Sequence, residues 1–233
     1  AITLRLGLSA TPKRHYDDAG TRALLNYFGD VVFEYGLGDA IRAGMLCPYD
    51  YFPVVVDLTD DEAAAYLELS EKIARIFPTG EDDPISDTLQ LLLFKRARLL
   101  GAAAHKLEAL STLIDGLDAP VRQAIVYCGD GRVMEPGAEE EERQLTAVIR
   151  LLGTEHDLRV RRFTYEVDTE SREEILEALR KGSLDAVVAI RCLDEGIDLP
   201  DVRTGFLLAS SSNPRQFVQR RGRLLRRAPG KTH

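Results

Sequence analysis

Four short apolar runs are spaced along the second half of the chain: QAIVYC (123–128), LRVRRFTY (158–165), LDAVVAI (184–190) and TGFLLA (204–209). Their content reads as strand. Between and after them, EEEERQLTAVIRLLG (139–153), ESREEILEALRKG (170–182) and NPRQFVQRRGRLL (213–225) carry apolar residues at helical spacing. Strands alternating with helices in this way predict an α/β fold, a parallel sheet with helices on both faces. Ligands of such sheets bind just beyond the carboxyl ends of the strands. Three segments fall there: CGDGR (128–132), RCLDEGIDLPD (191–201) and SSSNP (210–214).

The first half is patterned differently. TDDEAAAYLELSEKIARIF (59–77) predicts a helix, with Thr59 as N-cap, acids in its first turn and Lys72 and Arg75 late, as the helix dipole favours. After the loop PTGEDDP (78–84), residues 85–117 form a Leu- and Ala-rich helical region of one or two helices. Nearer the start lie the apolar stretch ITLRLGLSATP (2–12), the helix-like AGTRALLNYFG (19–29) and YDYFPVVVDLT (49–59), a strand by its β-branched and aromatic content. The predicted division is therefore 1–58, 59–118 and 119–233.

Composition narrows the function classes. The content, 45% hydrophobic and 29% charged, is that of an ordinary soluble globular protein. No apolar run is long enough to span a bilayer and no signal peptide is visible, so no membrane partner is expected. Cys47, Cys128 and Cys192 are few, odd in number and far apart, and the four histidines add no metal-ligand spacing. Neither a disulfide framework nor a metal site is predicted, and a reducing, cytoplasmic setting is expected.

Charge raises the question of function. The formal net charge is -8, yet Arg215, Arg220, Arg221, Arg223, Arg226, Arg227 and Lys231 crowd into residues 213–231 with no carboxylate among them. Asn213, Pro214 and Gln216 form a helix start in SSSNPRQ, which fixes the phase of the residues after it. At about 100° per residue, Phe217, Val218, Leu224 and Leu225 gather on one face. Gln219, Arg223 and Arg226 fall on the opposite face if the helix extends that far. Guanidinium forks bind phosphate oxygens bidentately and keep their charge, so a phosphate-bearing ligand is one reading of this helix. A solvated or acid-paired face is the other.

Four segments then bear a resemblance. LGLSATP (6–12), IVYCGD (125–130), VVAIRCLDEGIDLPDV (187–202) and QFVQRRGRLLR (216–226) are similar, in that order, to motifs III, IV, V and VI of superfamily 2 helicases and translocases. FVQRRGRLLRRAPGK and YGLGDAIRAGMLCPYDY resemble the XPB and RadD type and restriction-system translocases. Gln219, where the RNA-directed DEAD-box branch usually has His, leans toward DNA over RNA.

The resemblance implies a second RecA-like domain that closes on ATP together with a first. Arg223 and Arg226 would reach the γ-phosphate as arginine fingers, with Gln219 beside them. Gly196 and Asp198 would sit at the nucleotide, Asp198 on a ribose hydroxyl. Ser9 and Thr11 would couple ATP state to domain movement. Gly129, Arg132, Thr164, Arg191 and Cys192 would face nucleic acid, although Cys192 stands where many relatives carry Thr or Ser.

The departures from the family pattern are equally specific. GLSATPK (7–13) and GKT (230–232) both fail as a Walker A loop, and no DEAD or DEAH box precedes motif III. The expectation is a piece comprising the tail of a first RecA-like domain, a helical connector and a complete second domain. It would be inactive alone, with Mg held by the missing N-terminal domain. The whole would be an ATP-dependent DNA helicase or translocase. The alternatives are a duplex translocase in a restriction or repair complex, and a RecA-like scaffold without ATPase activity. In 59–118, Lys95, Arg96, Arg98 and Lys106 would approach a phosphate backbone, against the default of a packed helical accessory with a solvated face.

Overall fold

The computed structural model describes residues 4–9, 11–14, 17–78, 85–129, 131–133, 142–190, 201–209, 222 and 224–231. The chain divides into two compact units: Ala1–Asp50 with Asp194–Asp201 and Ser211–His233, and Tyr51–Leu193 with Val202–Ser210.

The larger unit is built on a four-stranded parallel sheet in the order β4-β5-β1-β6, with β1 Ala124–Tyr127, β4 Val160–Phe163, β5 Ala186–Ala189 and β6 Thr204–Leu207. The four predicted strands thus all form and pair in parallel. The two central strands are buried along their whole length, which is why their sequences are unbroken apolar runs. Side chains alternate between faces. Val126, Cys128, Val188 and Leu208 pack with Leu107 and Leu110 of α5 (His105–Asp115) and with Leu145 and Val148 of α6 (Gln144–Arg150). Ile125, Tyr127, Val187 and Phe163 alternate with these residues and are also fully buried.

α6 begins later than the periodicity of 139–153 implies. Glu142–Arg143 form β3, paired antiparallel with β2 (Arg132–Val133), so helix starts only at Gln144. It then continues as a π-helical turn, Leu151–Glu155. His156 fastens that turn to α5: its Nδ1 faces Asp115 Oδ1 at 3.3 Å and its Nε2 lies 2.9 Å from the Ser111 hydroxyl. α7 (Thr169–Arg180) comes after β4, with the Asp168 carboxylate accepting from Ser171 N as its N-cap.

The helical region ahead of the sheet comprises α3 (Asp60–Ile76), α4 (Asp87–Gly101) and α5. Thr59 caps α3 as predicted: its hydroxyl accepts from Glu62 N, and Glu62 Oε2 accepts from Thr59 N at 2.9 Å. Residues 85–117 resolve into two helices, broken at Ala102–Ala104. There Glu62 Oε1 accepts from Ala104 N at 2.9 Å and satisfies the open turn. The expected strand over 49–59 is absent. This segment pairs with no neighbouring strand among the described residues, and Tyr51, Phe52 and Val55 are exposed; β-branched content without a ladder partner does not make a strand.

The smaller unit contains α1 (Asp18–Phe28), which matches the periodicity of 19–29, and a short α2 (Leu37–Arg42) that the pattern did not reveal. No helix among the described residues is long and apolar enough to cross a membrane.

At the amino end of the sheet, Asp185 is only 2% exposed and is gripped by two arginines. Arg159 donates Nε to Oδ2 at 2.9 Å and Nη2 to Oδ1 at 2.8 Å, its backbone N–H adds a third bond to Oδ2, and Arg122 pairs with Oδ1. Both arginines are about half exposed, so the pair is partly screened. Asp185→Ala should cost about 1–3 kcal/mol, read as a lowered urea midpoint with little change in slope.

Candidate functional site

The connections leaving the carboxyl ends of β1, β4, β5 and β6 share one edge of the sheet, where a parallel sheet binds its ligands. Behind β1, the 128–131 connection is held by one buried side chain. Gln144 Oε1 accepts from Gly129 N at 2.7 Å, and its Nε2 donates to the carbonyl of Gly101, the last residue of α4, at 2.9 Å. Gln144 N in turn donates to Gly131 O at 3.0 Å. The fit leaves no space at Gly131: a Cβ there would lie 2.5 Å from Ala102 Cβ and 3.0 Å from Arg98 O. Cys128 is buried beside this connection, which pushes its thiol up to about 12 and leaves it protonated and inert at neutral pH.

Lys106 closes the same corner. Its ammonium donates to Leu100 O at 2.6 Å, to Gly101 O at 3.3 Å and to Leu208 O at 2.6 Å, capping α4 and tying down the exit of β6. Arg96 also turns inward, donating to Ser70 Oγ and lying over the Tyr66 ring. Two of the four cations weighed for a phosphate backbone therefore serve packing within the larger unit, in line with the default of a packed helical accessory. Lys95 and Arg98 are exposed.

Of the residues expected to face nucleic acid, three are described. Gly129 sits on the Gln144 amide. Arg132 is exposed on β2 directly opposite Arg143, so two like charges flank one position on the ribbon. Thr164 comes directly after β4, is buried, and its hydroxyl has no hydrogen-bond partner among the described residues. Arg191 and Cys192 lie outside the described residues, as do Gly196, Asp198, Gln219 and Arg223.

The smaller unit carries the remaining three. Ser9 Oγ accepts from Thr11 N at 3.2 Å, and the Thr11 hydroxyl is buried without a partner among the described residues. Arg226 is not helical. Gly222 and Leu224 are, but the helix has ended by Leu225, and Arg226 forms an antiparallel bridge with Leu46. Cys47 N donates to Leu225 O at 2.8 Å, and Lys231 Nζ donates to Leu224 O. Gly44 permits the reversal into this pairing with φ +70°, close against the Arg227 guanidinium. The side chain of Arg226 therefore takes its direction from a strand-like backbone, and the shared helical face with Gln219 does not extend to it.

Likeness to known proteins settles the family. Residues 105–228, more than half the chain, match the helicase conserved C-terminal domain. The chain belongs to that family. Over 97% of its length this helicase C-terminal domain chain is 28% identical to the DNA 3'-5' translocase XPB2 of Sulfurisphaera tokodaii, and it spans 51% of that protein. It is 33% identical over 52% of its length to UvrABC system protein B of Pseudomonas aeruginosa, covering 18% of that relative. Among solved structures it resembles the ATP-dependent type ISP restriction-modification enzyme LlaBIII bound to DNA, with a TM-score of 0.50, 17% identity, 90% of this chain covered and 13% of that one. That likeness supports the fold, a RecA-like parallel sheet preceded by helices.

Gln144 was not singled out from sequence, and Lys106 was weighed there for a phosphate backbone, not for the carbonyls it holds. Gln144 left a trace, being a polar residue in phase with the buried positions 145, 148, 151 and 152 of its helix. The sequence did not reveal the partners of Lys106, which are backbone carbonyls brought together only by folding.

Gln144→Ala would strand Gly129 N, at about 1–3 kcal/mol for an unpaired buried donor, while Gly101 O keeps its bond from Lys106 Nζ. Gln144→Glu keeps the acceptor but can donate to Gly101 O only when protonated, so in urea unfolding it should recover part of that loss at acidic pH and not at neutral pH. Burial holds the Lys106 ammonium below the ordinary lysine value of 10.5, with Glu62 opposing. The folded state then binds fewer protons than the unfolded one between those two values, so stability rises with pH through that interval. The urea midpoint should show this rise as pH climbs toward 10.5, and Lys106→Met should flatten it.

Proposed function

We propose that this chain is the C-terminal half of an ATP-dependent superfamily 2 DNA helicase or translocase motor. One observation carries the reading: β1, β5 and β6 are parallel neighbours, so the chain leaves all three at one carboxyl edge of the sheet, and the segments that follow them in sequence are those resembling motifs IV, V and VI. The likeness of nearly the whole chain to a DNA translocase of about twice its length supports it. In this reading residues 1–58 belong to a first RecA-like domain and linker, 59–118 form the helical connector, and 119–233 form the second domain.

ATP is the substrate of the joint between the two domains. Arg223 and Arg226 stabilise the charge that develops on the transferred phosphoryl group, with Gln219 beside them and Gly196 and Asp198 at the nucleotide. Ser9 and Thr11 relay the nucleotide state. Among the described residues no cluster of carboxylates, histidines or cysteines fits a metal ion; Mg is assigned to the first domain, and no step of this half runs through it. Gly129, Arg132, Thr164, Arg191 and Cys192 line the DNA backbone. Closure on ATP and release after hydrolysis then shift this grip along DNA, within a repair or restriction assembly.

The test is ATP turnover by the full-length protein with and without DNA. DNA-stimulated hydrolysis should fall by about 10³-fold or more in Arg223→Ala, the scale of an arginine finger in comparable enzymes, and Arg226→Ala should fall with it. DNA binding with no turnover, or variants at wild-type rate, would instead mark a RecA-like binding module.

A further inference from the structure

The turn after β4 presents a single aromatic side chain under unusual restraint. Tyr165 is 80% exposed, one residue beyond Thr164. Among the described residues it is the only aromatic in the connections that leave the carboxyl edge of the sheet. The backbone beneath it is fixed from α7: Arg172 Nη2 donates to Thr164 O at 3.2 Å and to Tyr165 O at 3.1 Å, while its guanidinium lies over the buried Phe163 ring, 5.8 Å from the centroid. Val167 N donates to Thr164 O at 3.2 Å and closes the turn. A ring held outward on so constrained a backbone loses little freedom on meeting a flat partner.

Charge indicates what that partner is. Arg161 and Arg162, both exposed, precede the turn on the edge strand β4, one toward each face of the sheet, and give this edge a positive charge that attracts a polyanion. Glu166, exposed beside Tyr165, repels phosphate from the turn itself. A nucleic acid strand drawn to this edge thus approaches the ring with a base and keeps its backbone away from the turn. The Thr164 hydroxyl, with no partner among the described residues, adjoins the same position.

We propose that Tyr165 is a stacking platform for an unpaired nucleobase, which makes this edge of the sheet a reader of single-stranded DNA. The proposal rests on the DNA-motor reading and adds to it a contact that intact duplex cannot make, because its bases are already stacked. Stacking on an aromatic side chain is tolerant of sequence, and it leaves the salt dependence of binding, which counts phosphate contacts, unchanged.

The experiment is an anisotropy titration of the full-length protein with labelled oligo-dT, with an abasic strand of the same length, and with blunt duplex. Tyr165→Ala should weaken oligo-dT binding by about 5- to 150-fold, with an unchanged salt slope, while abasic strand and duplex bind as they do to wild type. Tyr165→Trp should restore oligo-dT affinity, an outcome that repair of the fold alone would not make base-dependent. Equal weakening on oligo-dT and abasic strand, or no weakening on either, overturns the platform and leaves the motor reading intact. Loss of a protein partner with oligo-dT binding unchanged also overturns it, in favour of a protein-docking turn. Failure of the wild type to bind any of the three DNAs removes the motor reading itself.

Discussion

The amide of Gln144 is the contact on which the ligand edge of the sheet depends. It is fully buried at the start of α6, with its oxygen on Gly129 N and its nitrogen on Gly101 O. A primary amide is the side chain that suits this position, since it must accept at one end and donate at the other. Through it, the first connection leaving the sheet is fastened to the break between α4 and α5. Lys106 shares the Gly101 carbonyl and carries the tie on to the end of β6. The helical region ahead of the sheet is thereby part of the mounting for two of its loops. The absence of space for any Cβ at Gly131 is the steric counterpart of the same close approach.

The cations divide by the job they do in the structure. At the amino end of the sheet, Arg122 and Arg159 neutralise a buried carboxylate, and the hydrogen bonds of Arg159 fix the start of β4. Arg96 and Lys106 bond to partners inside the larger unit. Arg172 acts through the backbone, holding a turn so that a neighbouring ring is fixed in place. Arg132 and Arg143 are cross-strand neighbours on the β2–β3 ribbon. Side-chain count alone cannot separate these roles. A buried acid or a carbonyl opposite each arginine does.

In the smaller unit the decisive restraint on Arg226 is main-chain pairing. The bridge to Leu46 and the bond from Cys47 N to Leu225 O set the backbone just past the helix, so residues 44–47 share in directing Arg226 and Arg227.

The sequence by itself determined the class of the fold, the four strands and most helix starts. These arise from local chemistry: unbroken apolar runs need burial on both faces, and Thr59, Ser86 and Asp168 satisfy open N–H groups three residues on. It also determined the family, because motif order is a property of the chain alone. Only the tertiary structure decided which polar residues hold the ligand edge. Residues 49–59 had strand composition and found no ladder, and Glu142–Arg143 had helix composition and found a ribbon partner in Arg132–Val133. Gln144 reaches a carbonyl 43 positions away and Lys106 one 102 positions away, and no spacing rule spans such distances. Arg226 fitted the helical phase, yet its direction was set by Leu46, a residue far away in the sequence that competes for the same backbone.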